Sequence, residues 1–211
     1  MAEDRGLVFV VDDDQSVRDA LEGLLQSAGW RVETFATSDE FLARPRPEEA
    51  ACLVLDIELP GTGGLELQEE LGRIRGDIPI VFITGHGDVG RSVRAMKAGA
   101  VEFLVKPFSD EALLDGIERA IERSKELLSR KAELTVLNER YAKLSTRERQ
   151  VMQLVISGLM NKEIAHELGT REVTVKVQRG KVMRKMHAQS LPDLVRMAEK
   201  LGIPAGRGDE R

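Results

Sequence analysis

The sequence predicts an α/β doubly wound five-stranded parallel sheet followed by an all-α unit, the two joined by a largely helical linker. Three observations carry this prediction. Short apolar runs alternate with amphipathic stretches through residues 1–124. No strand-like run follows Leu144. The charge also divides: residues 1–124 carry 25 acids and 13 bases, a net of −12, whereas residues 145–211 carry 8 acids and 13 bases, a net of +5. An acidic front and a basic rear suit two different tasks, the second facing a polyanion.

The runs are Leu7–Val11, Arg31–Phe35, Cys52–Leu55, Ile78–Thr84 and Val101–Val105. Near-continuous β-branched runs suit parallel strands buried on both faces. Between the first two, Val17, Leu21, Leu24, Leu25 and Ala28 recur at helical spacing, and Gly29 supplies a stop. Strands alternating with helices give a doubly wound sheet over residues 1–124. Residues 125–143 form the linker. From Asp110 to Leu144 there is no proline, and apolar positions step by three and four, interrupted by Ser124 and Lys131. Two readings stay open: one helix running on from the sheet unit, or two helices with a loop near Ser129. Residues 144–202 form the all-α unit, and 203–211 are expected to be a disordered tail.

The composition excludes several classes. No apolar run approaches the roughly 20 residues that span a bilayer, and the first residues lack a signal-peptide pattern, so a cytoplasmic location is expected. Cys52 is the only cysteine and lies in an apolar run, so it reads as a buried small hydrophobe. His86, His166 and His187 have no metal-ligand spacing.

Doubly wound sheets place their chemistry at the carboxyl ends of the strands. Here the first strand ends in Asp12-Asp13-Asp14, the third in Asp56, the fourth in Thr84 and the fifth in Lys106. Clustered carboxylates repel unless a cation neutralises them, and hard oxygen ligands indicate Mg²⁺. Asp56 is the candidate nucleophile for an acyl phosphate. Lys106 is the second cation stabilising the transferring group, and the Thr84 hydroxyl is a donor to it.

The segments VFVVDDD, LVLDIELPGTGG, VFITGHGD and EFLVKPF resemble the response-regulator receiver signature over about 120 residues. The resemblance implies Asp56 as phosphoacceptor, with Mg²⁺ held by Asp12, Asp13, Asp56 and the Glu58 backbone carbonyl. It also implies Thr84 and Phe103 as a switch pair. Asp14 is an extra acid whose role the resemblance does not fix. Gly90 and Arg91 stand where close relatives often carry a proline, which leaves the start of the fourth helix less defined.

The region from Leu144 to Ala198 reads as helix, turn, helix, turn, helix, helix, a helix-turn-helix followed by one more helix. Ser145 with Glu148 three residues on predicts a capping box. Val175, Val182, Met183 and Met186 form an inner face of the third helix. Thr174, Lys176, Gln178, Arg179, Lys181, Arg184 and Lys185 form an outer, basic one. The second helix of such a motif enters the major groove. The stretch resembles the LuxR/FixJ-type DNA-binding domain, and the whole chain a FixJ-type response regulator. By that analogy Lys176, Val177 and Lys181 face bases or the groove floor, with Arg179 on the same basic face. Thr174, Arg184, Asn161 and Lys162 suit phosphates. Leu191 to Ala198 would be a dimerisation helix. Gln178 replaces a usual histidine, and Arg171 a usual serine N-cap.

The implied function is that of a two-component regulator, not an enzyme beyond its own phosphorylation and slow dephosphorylation. Its partners would be a sensor histidine kinase, promoter DNA, RNA polymerase and, once phosphorylated, a second copy. Two rivals remain at this stage. A haloacid-type phosphohydrolase also uses an aspartate after a strand, but places a second aspartate where Glu58 stands. A phosphate-independent regulator would not need the Asp/Thr/Lys set.

Overall fold

The computed structural model describes residues 5–204, apart from 75 and 77. The chain forms two compact units, Met1–Ser129 and Arg130–Arg211. In the first, strands β1 (Leu7–Val11), β2 (Arg31–Phe35), β3 (Ala51–Asp56), β4 (Ile80–Thr84) and β5 (Glu102–Val105) form one parallel sheet of order β2-β1-β3-β4-β5. Between them run α1 (Gln15–Ser27), α2 (Ser38–Ala43), α3 (Gly64–Ile74) and α4 (Val89–Lys97). The chain steps from β1 outward to β2, then crosses back to β3, so the strand order reverses between β1 and β3. A crevice opens at the carboxyl ends of the strands at such a reversal.

Alternation along the strands divides the core in two. Phe9, Val11, Leu53, Leu55 and Phe82 pack with Phe41, Leu67, Leu71 and Ala95 from α2, α3 and α4. Val8, Val10, Cys52, Val54, Val81 and Ile83 pack with Leu21 and Leu25 of α1 and with Leu113, Ile117 and Ile121 beyond β5. Burial on both faces holds for β1, β3 and β4, whereas β2 and β5 are edge strands and half-exposed. An edge strand has a neighbour on one side only, so less of its side-chain surface is covered. Gly29, at φ +86°, ends α1 in a conformation only glycine adopts without strain.

One helix, α5, runs unbroken from Asp110 to Ala142, so of the two linker readings the continuous one is observed and no loop interrupts it near Ser129. One of the two polar interruptions in its seam is buried: Ser124 accepts a hydrogen bond from the Ala51 N–H at 3.1 Å. The seam itself is only partly buried. Leu137 is covered, but Leu134 is exposed.

The second unit continues with α6 (Thr146–Ile156), α7 (Asn161–Glu167), α8 (Glu172–Met186) and α9 (Leu191–Lys200). Its core joins Val151, Met152, Ile164, Val175, Val182, Met186, Leu194 and Ala198. The capping box at α6 is complete: Ser145 Oγ accepts from the Glu148 N–H, and Glu148 accepts from the Ser145 N–H. Leu194 and Ala198 turn α9 into its own core, with Met197 packed beside them. Ile203 also packs there, while residues 205–211 of the expected tail lie outside the described residues.

Candidate functional site

Strand register assembles the acidic pocket. Val11 pairs with Leu55, which sets Asp12 beside Asp56 at the strand reversal. Asp56 pairs with Ile83 and Thr84 with Val105, so Thr84 lies one step beyond the partner of Asp56, and Lys106 one step beyond the partner of Thr84. All four residues reach the same sheet edge. Gly64, at the start of α3, is required beneath it, because a Cβ there would stand 2.5 Å from the Asp56 carbonyl oxygen.

Asp12 is fully buried, and Asp56 and Thr84 are nearly so. The Lys106 ammonium bridges the two acids, 2.9 Å from Asp12 Oδ2 and 2.9 Å from Asp56 Oδ2. The free oxygens are also engaged: Asp12 Oδ1 accepts from the Asp14 N–H and Asp56 Oδ1 from the Glu58 N–H, each at 2.9 Å. Burial pushes the Asp12 carboxyl above its ordinary value, against the bonds from Lys106 and the Asp14 N–H, and repulsion from Asp56 adds to the rise. Burial works against the Lys106 charge too, but its bonds to Asp56 and Asp12 prevail and hold its pKa up.

Asp13 is exposed beside them, and carboxylate oxygens of Asp12, Asp13 and Asp56 lie within 4.8 Å of one another. Three acids with a single bridging lysine, all oxygen donors, fit a hard divalent cation. Asp14 has a separate task. Its side chain caps α1 by accepting from the Ser16 N–H at 2.8 Å, the bond that chiefly lowers its pKa.

Sequence reading overlooked Arg18. It is buried, and its Nη1 donates to the carbonyls of Asp12 at 2.7 Å and Asp13 at 3.0 Å, fixing the loop that carries both acids. The available signal was an arginine one turn into a helix that directly follows an acid triplet.

Thr84 and Phe103, the pair expected to act as a switch, make local contacts rather than contacts with Asp56. Thr84 Oγ1 donates to the His86 carbonyl and accepts from the His86 N–H, both at 3.2 Å. The Phe103 ring is half-buried against Phe82, ring centres 6.4 Å apart. Helix α4 starts cleanly without a proline, since Asp88 caps it through the Gly90 N–H at 2.8 Å. The Glu58 side chain points outward to His86 at 3.1 Å and Arg91 at 3.6 Å.

In the second unit Thr174, Lys176, Val177, Lys181 and Arg184 are exposed on α8, opposite the buried line Val175–Val182–Met186. Arg179 is half-buried and donates to Asn161 Oδ1 at 3.2 Å, tying α8 to the start of α7, where Lys162 is exposed. Lys185 does not belong to the outer face. Its ammonium turns back to Glu148 at 2.6 Å and the Lys143 carbonyl at 3.0 Å, because the buried Glu148 carboxylate needs a cation. Arg171 stands at the N-cap of α8 with no side-chain capping bond. No helix among the described residues is long and apolar enough to cross a membrane.

Comparison with known proteins matches these two halves separately. Residues 8–118 match the response regulator receiver domain, and residues 142–198 match the luxR family of bacterial regulatory proteins. Nodulation protein W of Bradyrhizobium diazoefficiens is 50% identical over 99% of this chain and 92% of its own length. The transcriptional regulatory protein FixJ of Azorhizobium caulinodans is 43% identical, with 93% of each chain covered. Among solved structures, the response regulator StyR is 54% identical with a TM-score of 0.79, covering 92% of this chain and 98% of its own. Full-length FixJ from B. japonicum is 41% identical with a TM-score of 0.56, covering 96% and 100%. A receiver pocket at the strand reversal, followed by a basic helix-turn-helix, places this chain in the family of two-component transcriptional response regulators that join a receiver domain to a luxR-type DNA-binding domain.

Proposed function

We propose that Asp56 is the phosphoacceptor and that its phosphorylation switches the C-terminal unit's action on promoter DNA. The observation that carries this is the bridge from Lys106 to both Asp12 and Asp56 at 2.9 Å, beside a third carboxylate. An Asp56 carboxylate oxygen attacks the phosphorus of a phosphohistidine on a sensor kinase. The new bond is O–P, the bond that breaks is P–N, and the imidazole leaves with the electron pair. Asp12, Asp13, Asp56 and the Glu58 carbonyl would hold Mg²⁺, which supplies charge neutralisation for the transferred group. Lys106 moves its bond from the carboxylate to a phosphoryl oxygen, and Arg18 keeps the acidic loop in place.

The added charge, about −1.5 to −2 at neutral pH by analogy with other phosphoresidues, draws the Thr84 hydroxyl away from His86. Phe103 then turns inward. Exposed Val89, Val93 and Met96 on α4 and Val105 on β5 give this face an apolar surface for a second copy. Paired C-terminal units add their DNA contacts, with Lys176, Val177 and Lys181 toward bases, and Thr174, Arg184, Asn161 and Lys162 toward phosphates. Arg179 serves from the side, through Asn161. RNA polymerase at the promoter is the onward partner.

Intact-mass measurement after incubation with acetyl phosphate and Mg²⁺ tests the central step. The chain should gain one phosphoryl group, and Asp56→Asn should gain none; equal gain by the variant would place the chemistry elsewhere.

A further inference from the structure

Helix α8 carries an apolar lane among its basic residues. Val173 is 73% exposed and Val177 54% exposed, although both are large hydrophobes on a helix whose core line is fully occupied. At 3.6 residues per turn, Val173, Val177, Gly180 and Arg184 fall on one line, opposite Val175, Val182 and Met186. Lys176 and Lys181 flank that line and are exposed. A Cβ at Gly180 would meet nothing within 4 Å, and its backbone is ordinary helix, so the fold does not require glycine there. Openness alone assigns nothing, since helical Gly23 and Gly72 are equally free. What singles out Gly180 is its place on the exposed line, between Val177 and Arg184.

We infer that Val173 and Gly180 are specificity-determining residues for DNA, forming with Val177 a lane that reads thymine methyl groups. The inference rests on the DNA-binding reading of α8 and deepens it. A thymine methyl projects into the major groove and is recognised by apolar contact. The flanking lysines draw the same surface onto a polyanion, which selects duplex DNA over a protein partner as the occupant. Val173 lies in the first turn of α8, the part of a recognition helix that reaches base edges. Val173 and Val177 are separated by about 6 Å along the axis, close to two base steps of about 3.4 Å. The lane therefore fits two methyl groups about two base steps apart, on either strand. Gly180, without a side chain, lets the groove edge approach the helix backbone between Val177 and Arg184.

The test uses the full-length chain treated with acetyl phosphate and Mg²⁺. Duplexes are enriched from a random pool, and each thymine of the selected sequence is then replaced by deoxyuridine, which lacks only the methyl. Two replacements per half-site, about two steps apart, should each weaken binding about fourfold, the worth of one buried methyl-sized group. Val173→Ala should bind less tightly and be indifferent to one of those replacements. Gly180→Ala should raise the unfolding temperature of the C-terminal unit, since alanine is the better helix former, yet bind the selected duplex at least about tenfold more weakly. Failure of the wild-type chain to enrich any sequence overturns the DNA reading itself. Enrichment with no methyl dependence, or a full methyl penalty retained by Val173→Ala, overturns the lane alone. Unchanged affinity in Gly180→Ala overturns the part assigned to Gly180.

Discussion

Thr84 is bonded to His86 rather than to Asp56. Its hydroxyl donates to the His86 carbonyl and accepts from the His86 N–H, both at 3.2 Å, and so closes a tight local ring at the end of β4. Any turn of the hydroxyl toward Asp56 must open that ring. Thr84→Ala removes both bonds and the donor. Phosphorylation at Asp56 should persist, because Lys106 and the acids remain, but it should no longer raise the sedimenting mass. A variant that still dimerises on phosphorylation would show that Thr84 is not the coupling residue.

Asp12 is placed where function opposes stability. Burial raises its pKa, and a carboxyl raised in the fold contributes stability that is present below its unfolded value of 3.8 and lost as pH rises through the folded value. At neutral pH its charge weighs against folding. Asp12→Asn should stabilise the receiver at pH 7 by about 0.5–2 kcal/mol, the usual size of a stabilising single substitution. Mg²⁺ should stabilise the wild-type receiver and have a smaller effect on the variant. Urea unfolding with and without Mg²⁺ measures both, and a destabilised variant would contradict the argument.

Glu148 works in the opposite sense. The bond from Lys185, with that from the Ser145 N–H, lowers its pKa below the ordinary 4.5. A depressed carboxylate contributes stability that is present above its unfolded value and is lost as pH falls through the folded one. The C-terminal unit should therefore weaken below about pH 4.5, and Glu148→Gln should flatten that dependence. At neutral pH the same change should cost about 1–2 kcal/mol, from the capping bond and the stranded lysine. Thermal unfolding across pH 3–7 would reveal an unchanged acid limb if the pair is unimportant.

Arg184 and Lys176 separate affinity from specificity. Arg184→Ala should weaken binding to all duplexes alike and reduce the salt slope by about one contact. Lys176→Ala should reduce discrimination between sequences by about 1–3 kcal/mol. Equilibrium titrations on selected and random duplexes at several salt concentrations distinguish the two. Exchange of these effects would mean that α8 sits rotated in the groove.

Much of this molecule was legible in its residues because local patterns and strand-end chemistry are local properties. The five runs are the five strands, the Ser145/Glu148 spacing is the capping box, and the strand-end positions of Asp12, Asp56, Thr84 and Lys106 already point to one edge. Tertiary structure decided what depends on partners outside a residue's own helix or strand. Lys185 belongs to Glu148, because the nearest buried carboxylate lies on another helix. Arg18 holds the acidic loop because folding α1 back brings its guanidinium to the Asp12 and Asp13 carbonyls. Ser124 sits in a hydrophobic seam because the Ala51 N–H, 73 residues away, needs an acceptor there. Periodicity states which face a side chain occupies, and only packing supplies the polar group it must satisfy.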